Sequence, residues 1–123
     1  MSNKLLQRIK KNLPAAVRIK LPRKVAIISI EEKESRELNL AYRDKNKPAN
    51  VLSFLYSPEY GEIIVCPAVI RKEAKEQRNT YRYQMTWMIV HGIIHLAGIH
   101  HEKSEIMRKK FERIERSALG KLF

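Results

Sequence analysis

All four histidines of the 123-residue chain lie in one short segment, between His91 and His101. His91 and His95 are four residues apart, so on a helix both rings project from one face, with roughly 6 Å between their Cβ atoms. Gly98 suits the left-handed turn that ends a helix, and the reversed chain can then bring His101 back to the same point. Three histidines that leave one coordination position open are typical of a catalytic zinc site. The spacing therefore predicts one zinc ion per chain, held by His91, His95 and His101.

Two neighbouring residues have more than one interpretation. A histidine on an apolar helix can be a core residue, but two at this spacing would each need a buried partner, which favours the metal. His100 could support a ligand, be exposed, or replace His101 as the third ligand. Gly92 costs a helix about 1 kcal/mol relative to alanine. Either tight packing or close approach of a substrate to the metal would explain it.

The chain is strongly basic. Its 25 Lys and Arg residues against 13 Asp and Glu give a formal net charge of +12 and a pI near 10.0. Such a field concentrates polyanions near the protein and makes their binding sensitive to salt. Many small basic proteins have a positive charge for solubility alone. The charge therefore indicates nucleic acid as a candidate partner, and it does not indicate which reaction is catalysed.

Length and composition indicate a single globular domain over residues 1–123. A content of 44% hydrophobic and 31% charged residues excludes a disordered tail protein. Cys66 is the only cysteine, so no disulfide framework is expected and a reducing compartment fits best. Neither a signal-peptide pattern nor a membrane-spanning apolar stretch is found. We therefore expect a soluble, cytoplasmic protein in which Cys66 is a buried, inert thiol.

The elements that must position the histidines follow from hydrophobic spacing and from helix breakers. The helix that carries His91 and His95 is apolar almost all the way round, which predicts that it lies in the middle of the domain. The elements form an α/β or α+β arrangement around one small sheet. Helices are predicted at 3–13, 32–42, 67–78, 83–97 and 104–119, and strands at 17–21, 24–30, 51–56 and 62–66.

The histidine segment, HGIIHLAGIHH at 91–101, closely resembles the H-G-x-x-H-L-x-G-x-D-H signature of the YbeY family, whose members are ribosomal RNA maturation factors. Three upstream segments are similar to that family in the same order. They are LNLAYR at 38–43, which resembles L-N-x-x-Y-R; PANVLSF at 48–54, which resembles P-T-D-V-L-S-F; and GEIIVC at 61–66, which resembles G-D-I-x-I-C.

The resemblance implies an α+β fold, with a small mixed four-stranded sheet, about four to five helices and a zincin-like metal helix. It implies a single-strand-specific, metal-dependent endoribonuclease that matures the 3′ end of 16S ribosomal RNA and acts in ribosome quality control. The small ribosomal subunit would be a partner. It also points to His91, His95 and His101 as metal ligands and to Arg43 as the functionally important arginine.

Three residues depart from the family pattern: His100 and Asn50 stand where Asp is usual, and Ala49 stands where Thr is usual. Hydrogen bonding beside the site is therefore expected to differ. His100 remains a candidate for a residue that contacts a metal-binding histidine without binding the metal itself.

The residues also bear on the reaction. Metalloproteases of the H-E-x-x-H type place a glutamate next to the first histidine as general base. Gly92 stands there, which disfavours peptide hydrolysis. Arg43 could clamp a scissile phosphate with its bidentate fork. Glu62 is a candidate base, and a structural carboxylate is an equally good interpretation.

Two alternatives remain beside the nuclease. One is a ribosome-associated RNA-binding protein whose zinc is structural, and the other is a metallopeptidase or amidohydrolase. Tyr81 and Tyr83 are candidates for stacking on unpaired bases, although tyrosines at the start of a helix are more often core or rim residues. The residues expected to grip the RNA backbone are Lys10, Lys11, Arg71, Lys72, Arg78, Arg82, Lys109 and Lys110.

Overall fold

The sheet has three strands in the order β1-β3-β2 in the computed structural model, which describes residues 3–123. Strand β1 (Lys24–Ser29) runs parallel to β3 (Tyr60–Val65), and β2 (Val51–Ser57) runs antiparallel to β3. A short turn joins β2 to β3, as expected for antiparallel neighbours. Strand β2 therefore lies at an edge of the sheet.

Six helices accompany these strands within residues 3–123. Their bounds are Asn3–Lys11 for α1, Ala15–Arg18 for α2, Glu32–Arg43 for α3, Pro67–Glu76 for α4, Tyr81–Leu96 for α5 and Glu105–Leu122 for α6. Among residues 3–123, no helix is long and apolar enough to cross a membrane.

Helix α5 is the buried centre of the molecule. Thr80 caps its N-terminus, because the Thr80 hydroxyl accepts a hydrogen bond from the Tyr83 backbone N–H at 3.0 Å. Helix α5 packs on β2 and β3, where its residues join Val51, Ile63 and Val65 in the main core cluster. The helix ends at Leu96, as its apolar surface and the following glycine predict.

Gly92 allows α5 to approach the sheet closely. A Cβ atom at this position would lie 2.9 Å from Ile63 Cγ2 and 3.0 Å from Ser53 Oγ. The Ser53 hydroxyl also donates a hydrogen bond to the Gly92 carbonyl at 3.1 Å. Tight packing between helix and sheet, one of the two interpretations of this glycine, therefore accounts for it.

The other face of the sheet is only partly covered. Helix α3 packs there through Leu38, against a smaller cluster that includes Leu52, Ile64 and Ile28. Strand alternation places Phe54, two residues along from Leu52, on this same face.

The α+β fold class is confirmed, but the expected four-stranded sheet is wrong by one strand. Residues 17–21 were expected to be extended, whereas α2 forms a single helical turn after Pro14. The Pro14 carbonyl accepts hydrogen bonds from the N–H groups of Val17 and Arg18, both at 3.0 Å. This turn satisfies its own backbone and buries Val17 to 4% exposure, which a strand could do only by pairing with a neighbour.

Candidate metal centre

Three histidines meet at the end of α5. The ring centroids of His91 and His95 lie 5.0 Å apart, and those of His101 lie 5.2 and 5.0 Å from them. One nitrogen from each ring can be chosen so that all three lie within 4.8 Å of one another. Gly98, at φ 85°, reverses the chain between the helix and His101. The predicted triad is thus assembled in space, in a geometry that can hold one metal ion.

Phe111 of α6 supports all three rings. Its ring centroid lies 4.7 Å from that of His91, 5.0 Å from that of His95 and 5.1 Å from that of His101. Phe111 is 1% exposed, so it is held by the core while its ring limits how the imidazoles can turn. Phe111 belongs to the main core cluster, and only the fold shows that it contacts the histidines.

Glu115, one turn further along α6, orients His91. Its Oε2 lies 2.8 Å from His91 Nδ1, and its side chain is only 13% exposed. An ionised carboxylate accepts hydrogen bonds, so Nδ1 of His91 carries the proton and Nε2 is left free for a cation. Sequence reasoning missed Glu115. Its position four residues after Phe111, on the inward face of α6, was the signal that could have found it.

His95 has a corresponding partner in His100. Their Nδ1 atoms lie 3.1 Å apart, so one of them donates to the other. If His95 binds a cation through Nε2, its Nδ1 carries the proton and donates the hydrogen bond to Nδ1 of His100. At the position where the family pattern has aspartate, this chain therefore places against His95 an imidazole, which carries no negative charge. Burial, assisted by the nearby His91, lowers the pKa of His95 to about 4, which keeps its ring neutral at neutral pH.

A second set of potential ligands overlaps the first. Atoms of His95, His100 and Glu102 also lie within 4.8 Å of one another. The side chain of Glu102 is 58% exposed, and the Nδ1 atoms of His95 and His100 already face each other. These contacts favour His101, rather than His100, as the partner of His91 and His95.

The triad opens into a cleft of about 740 Å³ along β2. Residues 51–55 of β2 form one side, and the histidine segment forms the other. Arg43 and Lys45 line the same cleft and are both exposed, so positive charge stands beside the candidate metal centre. A polyanion is thus favoured in the cleft.

Buried polar side chains hold the loop that follows Arg43. Asp44 takes a left-handed conformation, φ 57°, and ends α3. The Asn39 side-chain amide donates to the Lys47 carbonyl at 2.8 Å. The Ser35 hydroxyl donates to the Ala49 carbonyl and accepts from the Ala49 N–H, both at 2.8 Å.

Asn50 continues this framework at the start of β2. Its side-chain amide donates to Glu73 Oε1 at 2.9 Å, and its carbonyl oxygen accepts from the Val51 N–H at 2.7 Å. Here the amide of Asn50 acts as a donor to a carboxylate, which an aspartate could not do when ionised. Where the family pattern has aspartate, this chain therefore has an amide donor, and Glu73 supplies the carboxylate that accepts its hydrogen bond.

Other residues predicted for the site lie elsewhere. Glu62 is not part of the cleft lining, and both of its carboxylate oxygens accept hydrogen bonds from tyrosines. Tyr83 contacts Trp87 and Phe123, and it is partly buried against the core. The predicted backbone-gripping residues also lie outside the lining, on α1, α4, the turn between α4 and α5, the start of α5, and α6: Lys10, Lys11, Arg71, Lys72, Arg78, Arg82, Lys109 and Lys110.

Comparison with known proteins identifies the family. A family model described as Endoribonuclease YbeY matches residues 1–122. The chain is similar to the Endoribonuclease YbeY of Thermotoga petrophila, with 42% identity over 94 residues that cover 75% of this chain and 61% of that protein. It is similar to that of Thermotoga maritima, with 36% identity over 115 residues, 90% of this chain and 77% of that protein. The chain thus spans less than two thirds of the Thermotoga petrophila relative.

A solved structure has the same arrangement. The solution structure of TM1509 from Thermotoga maritima matches with a TM-score of 0.61 and 30% identity, over 98% of this chain and 85% of that one. This likeness extends beyond the histidine segment to the sheet and its helices. The predicted resemblance is confirmed, and the chain belongs to the Endoribonuclease YbeY family.

Proposed function

We propose that the protein is a zinc-dependent endoribonuclease that cuts single-stranded ribosomal RNA in the cleft beside β2. One observation carries this proposal: three imidazoles with ligand atoms within 4.8 Å share an open cleft with an exposed arginine. The family name fits this chemistry, because endoribonucleases act on RNA phosphodiester bonds.

The donor set suits a divalent metal ion. His91, His95 and His101 offer uncharged nitrogen donors, and zinc is commonly bound by three such ligands in catalytic sites. Glu115 contributes a negative charge next to the triad through its contact with His91. A bound zinc ion would supply Lewis-acid charge that stabilises negative charge on a phosphoryl oxygen.

The chain's own residues would do the remaining work. Arg43 would bind a nonbridging phosphate oxygen pair with its guanidinium, and Lys45 would add a second positive charge in the same cleft. Glu115 would keep the proton on Nδ1 of His91, while Phe111 would restrict the rings and keep water from the inner side of the triad. Together they fix where the phosphate must lie.

A peptidase is the weaker alternative. The glutamate that serves as base in H-E-x-x-H enzymes would have to stand at position 92, where the sheet leaves no room even for a Cβ atom. The net charge of +12 also favours a polyanionic substrate.

The biological setting is part of the proposal. We infer that the single domain acts in the cytoplasm on the 3′ end of 16S ribosomal RNA, with the small ribosomal subunit as partner, and contributes to ribosome quality control. The sequence resemblance and the family membership support this setting.

The test is cleavage of a single-stranded RNA spanning the 3′ end of 16S ribosomal RNA, by wild type and His95→Ala preparations whose metal content has been assayed. We expect zinc in the wild type, and loss of both zinc and cleavage in a variant whose circular dichroism is unchanged. The same RNA annealed to its complement should be resistant. Equal cleavage by both proteins would overturn the proposal and would favour a non-catalytic RNA-binding protein.

A further inference from the structure

Four aromatic side chains form a continuous row on the partly uncovered face of the sheet. This aromatic row consists of Tyr42 from α3, Phe54 and Tyr56 from β2, and Tyr60 from β3. Tyr42 meets Phe54 edge-on at 5.0 Å between ring centroids. Phe54 and Tyr56 are 6.3 Å apart, Tyr56 and Tyr60 are 5.8 Å apart, and both of these pairs are stacked.

Glu62 holds the far end of the row in place. The Tyr56 hydroxyl donates to Glu62 Oε1 at 2.9 Å, and the Tyr60 hydroxyl donates to Glu62 Oε2 at 2.6 Å. These hydrogen bonds raise the pKa of both tyrosines above its ordinary value, so both hydroxyls remain protonated donors. The rings are therefore ordered before any partner binds, which lowers the entropic cost of binding.

The row is more exposed than its aromatic character alone would lead us to expect. Tyr42 is 67% exposed and Tyr56 is 60% exposed. A contiguous apolar surface of this kind on a small domain commonly marks a binding site. Exposed aromatic rings on a sheet are used elsewhere to stack unpaired RNA bases.

The row is continuous with the candidate metal centre. Tyr42 and Phe54 line the same cleft as His91 and His95, while Tyr56 and Tyr60 extend away from it along the sheet. The basic residues Arg43 and Lys45 lie in the cleft beside the near end of the row. A chain that alternates negative charge with flat apolar groups matches this surface, and single-stranded RNA is such a chain.

We propose that the aromatic row is a base-stacking subsite for the single-stranded RNA segment that leaves the cleft. The proposal rests on the proposed function and deepens it by assigning where bases next to the cut are held. Double-stranded RNA would not use this subsite, because its bases are paired and stacked on one another. Glu62 then acts as the residue that positions Tyr56 and Tyr60, rather than as a base in the reaction.

The test compares two fluorescently labelled 12-nucleotide single-stranded RNAs, one normal and one with four abasic sites at its centre, by anisotropy with the zinc-loaded protein. Tyr56→Ala and Tyr60→Ala should each weaken binding of the normal RNA by about 5- to 150-fold, the range for loss of one stacked base. Binding of the abasic RNA should be unchanged. Phe123→Ala removes another exposed ring, 54% exposed, from the end of α6 and should leave both affinities unchanged.

Tyr56→Phe separates the ring from its hydrogen bond. It should retain binding of the normal RNA to within a few fold, because the stacking surface remains. Equal losses for the normal and abasic RNAs, or no loss in either alanine variant, would overturn the subsite. The same samples are examined on a gel for cleavage, so absence of cleavage by the wild type would contradict the proposed nuclease while the base-dependent binding is judged separately.

Discussion

The candidate metal centre and the exposed basic surface are built in opposite ways. Each of the three predicted ligands contacts Phe111, and His91 is further oriented by Glu115, so the reactive groups are held by core packing. Arg43 is exposed, and so are all but one of the predicted backbone-gripping residues, the exception being the partly buried Lys10. The difference teaches that groups needing one geometry are supported by the core, whereas charges that attract a polyanion act at longer range and tolerate motion.

The strongest test of this contrast is to remove the support beneath the triad. Phe111→Ala should lower the free energy of unfolding by about 3–5 kcal/mol, as for other buried phenylalanines. Ile106→Ala, on the same helix but 80% exposed, should change it by less than about 0.5 kcal/mol. Urea unfolding followed by circular dichroism measures both. Similar effects of the two substitutions would show that Phe111 contributes no more to core packing than an exposed residue does.

Arg43 tests the exposed basic surface at the point where it comes nearest the metal centre. Arg43→Ala should lower kcat for RNA cleavage by about 100-fold or more, the usual effect of removing one donor to a developing oxyanion. Arg36→Ala is the matched control, because Arg36 is an exposed arginine of the same helix outside the cleft lining. Single-turnover kinetics on the two variants distinguishes direct phosphate binding by Arg43 from the effect of losing one positive charge on the same helix. Equal rates in both would remove Arg43 from the proposed mechanism.

Glu115 tests whether the support acts on the metal as well as on the fold. Glu115→Gln keeps the shape but removes the charge that fixes the proton of His91, and should weaken zinc affinity by about 10- to 100-fold. Glu112→Gln, on the same helix and paired with Arg108, should leave the affinity unchanged. Competition with a chromophoric chelator provides the measurement. An unchanged affinity in Glu115→Gln would mean that its hydrogen bond serves packing only.

The smallest effect is expected on the remote basic surface. Lys72→Ala on α4 should weaken RNA binding by a similar factor for all sequences and reduce the salt dependence of log K by about one unit. The change should leave single-turnover cleavage at saturating RNA unaffected, since Lys72 is exposed and outside the cleft lining. Titrations at several salt concentrations test this. A loss of affinity for some RNA sequences and not others would show that Lys72 contacts bases rather than attracting the phosphate backbone.

Short-range patterns were predicted well from the sequence. The four-residue spacing of His91 and His95 requires only helix geometry, and the turn at Gly98 requires only its freedom to take a positive φ. The central, buried position of α5 follows from its apolar surface on all sides. The error at residues 17–21 arose because β-branched residues suit both strands and buried helical turns, and only packing decides between them.

Contacts between residues far apart in the chain could not be predicted from the sequence. Glu115 lies 24 residues from His91, and only the packing of α6 against α5 brings its carboxylate to 2.8 Å from the His91 ring. The pairing of His100 with His95 follows from the exact path of the chain after Gly98. The hydrogen bonds from two tyrosines to Glu62 depend on the register between β2 and β3.

By itself, the sequence determined the kinds of donors, their spacing along one helix and the positive charge of the surface, because these follow from residue type and local geometry. The tertiary structure alone decided which groups orient those donors, why position 92 must be glycine and where the aromatic row lies relative to the cleft. The physical reason is that hydrogen bonds and close packing act over a few ångströms. Residues far apart in the chain can meet at such distances only after the sheet and its helices have packed together.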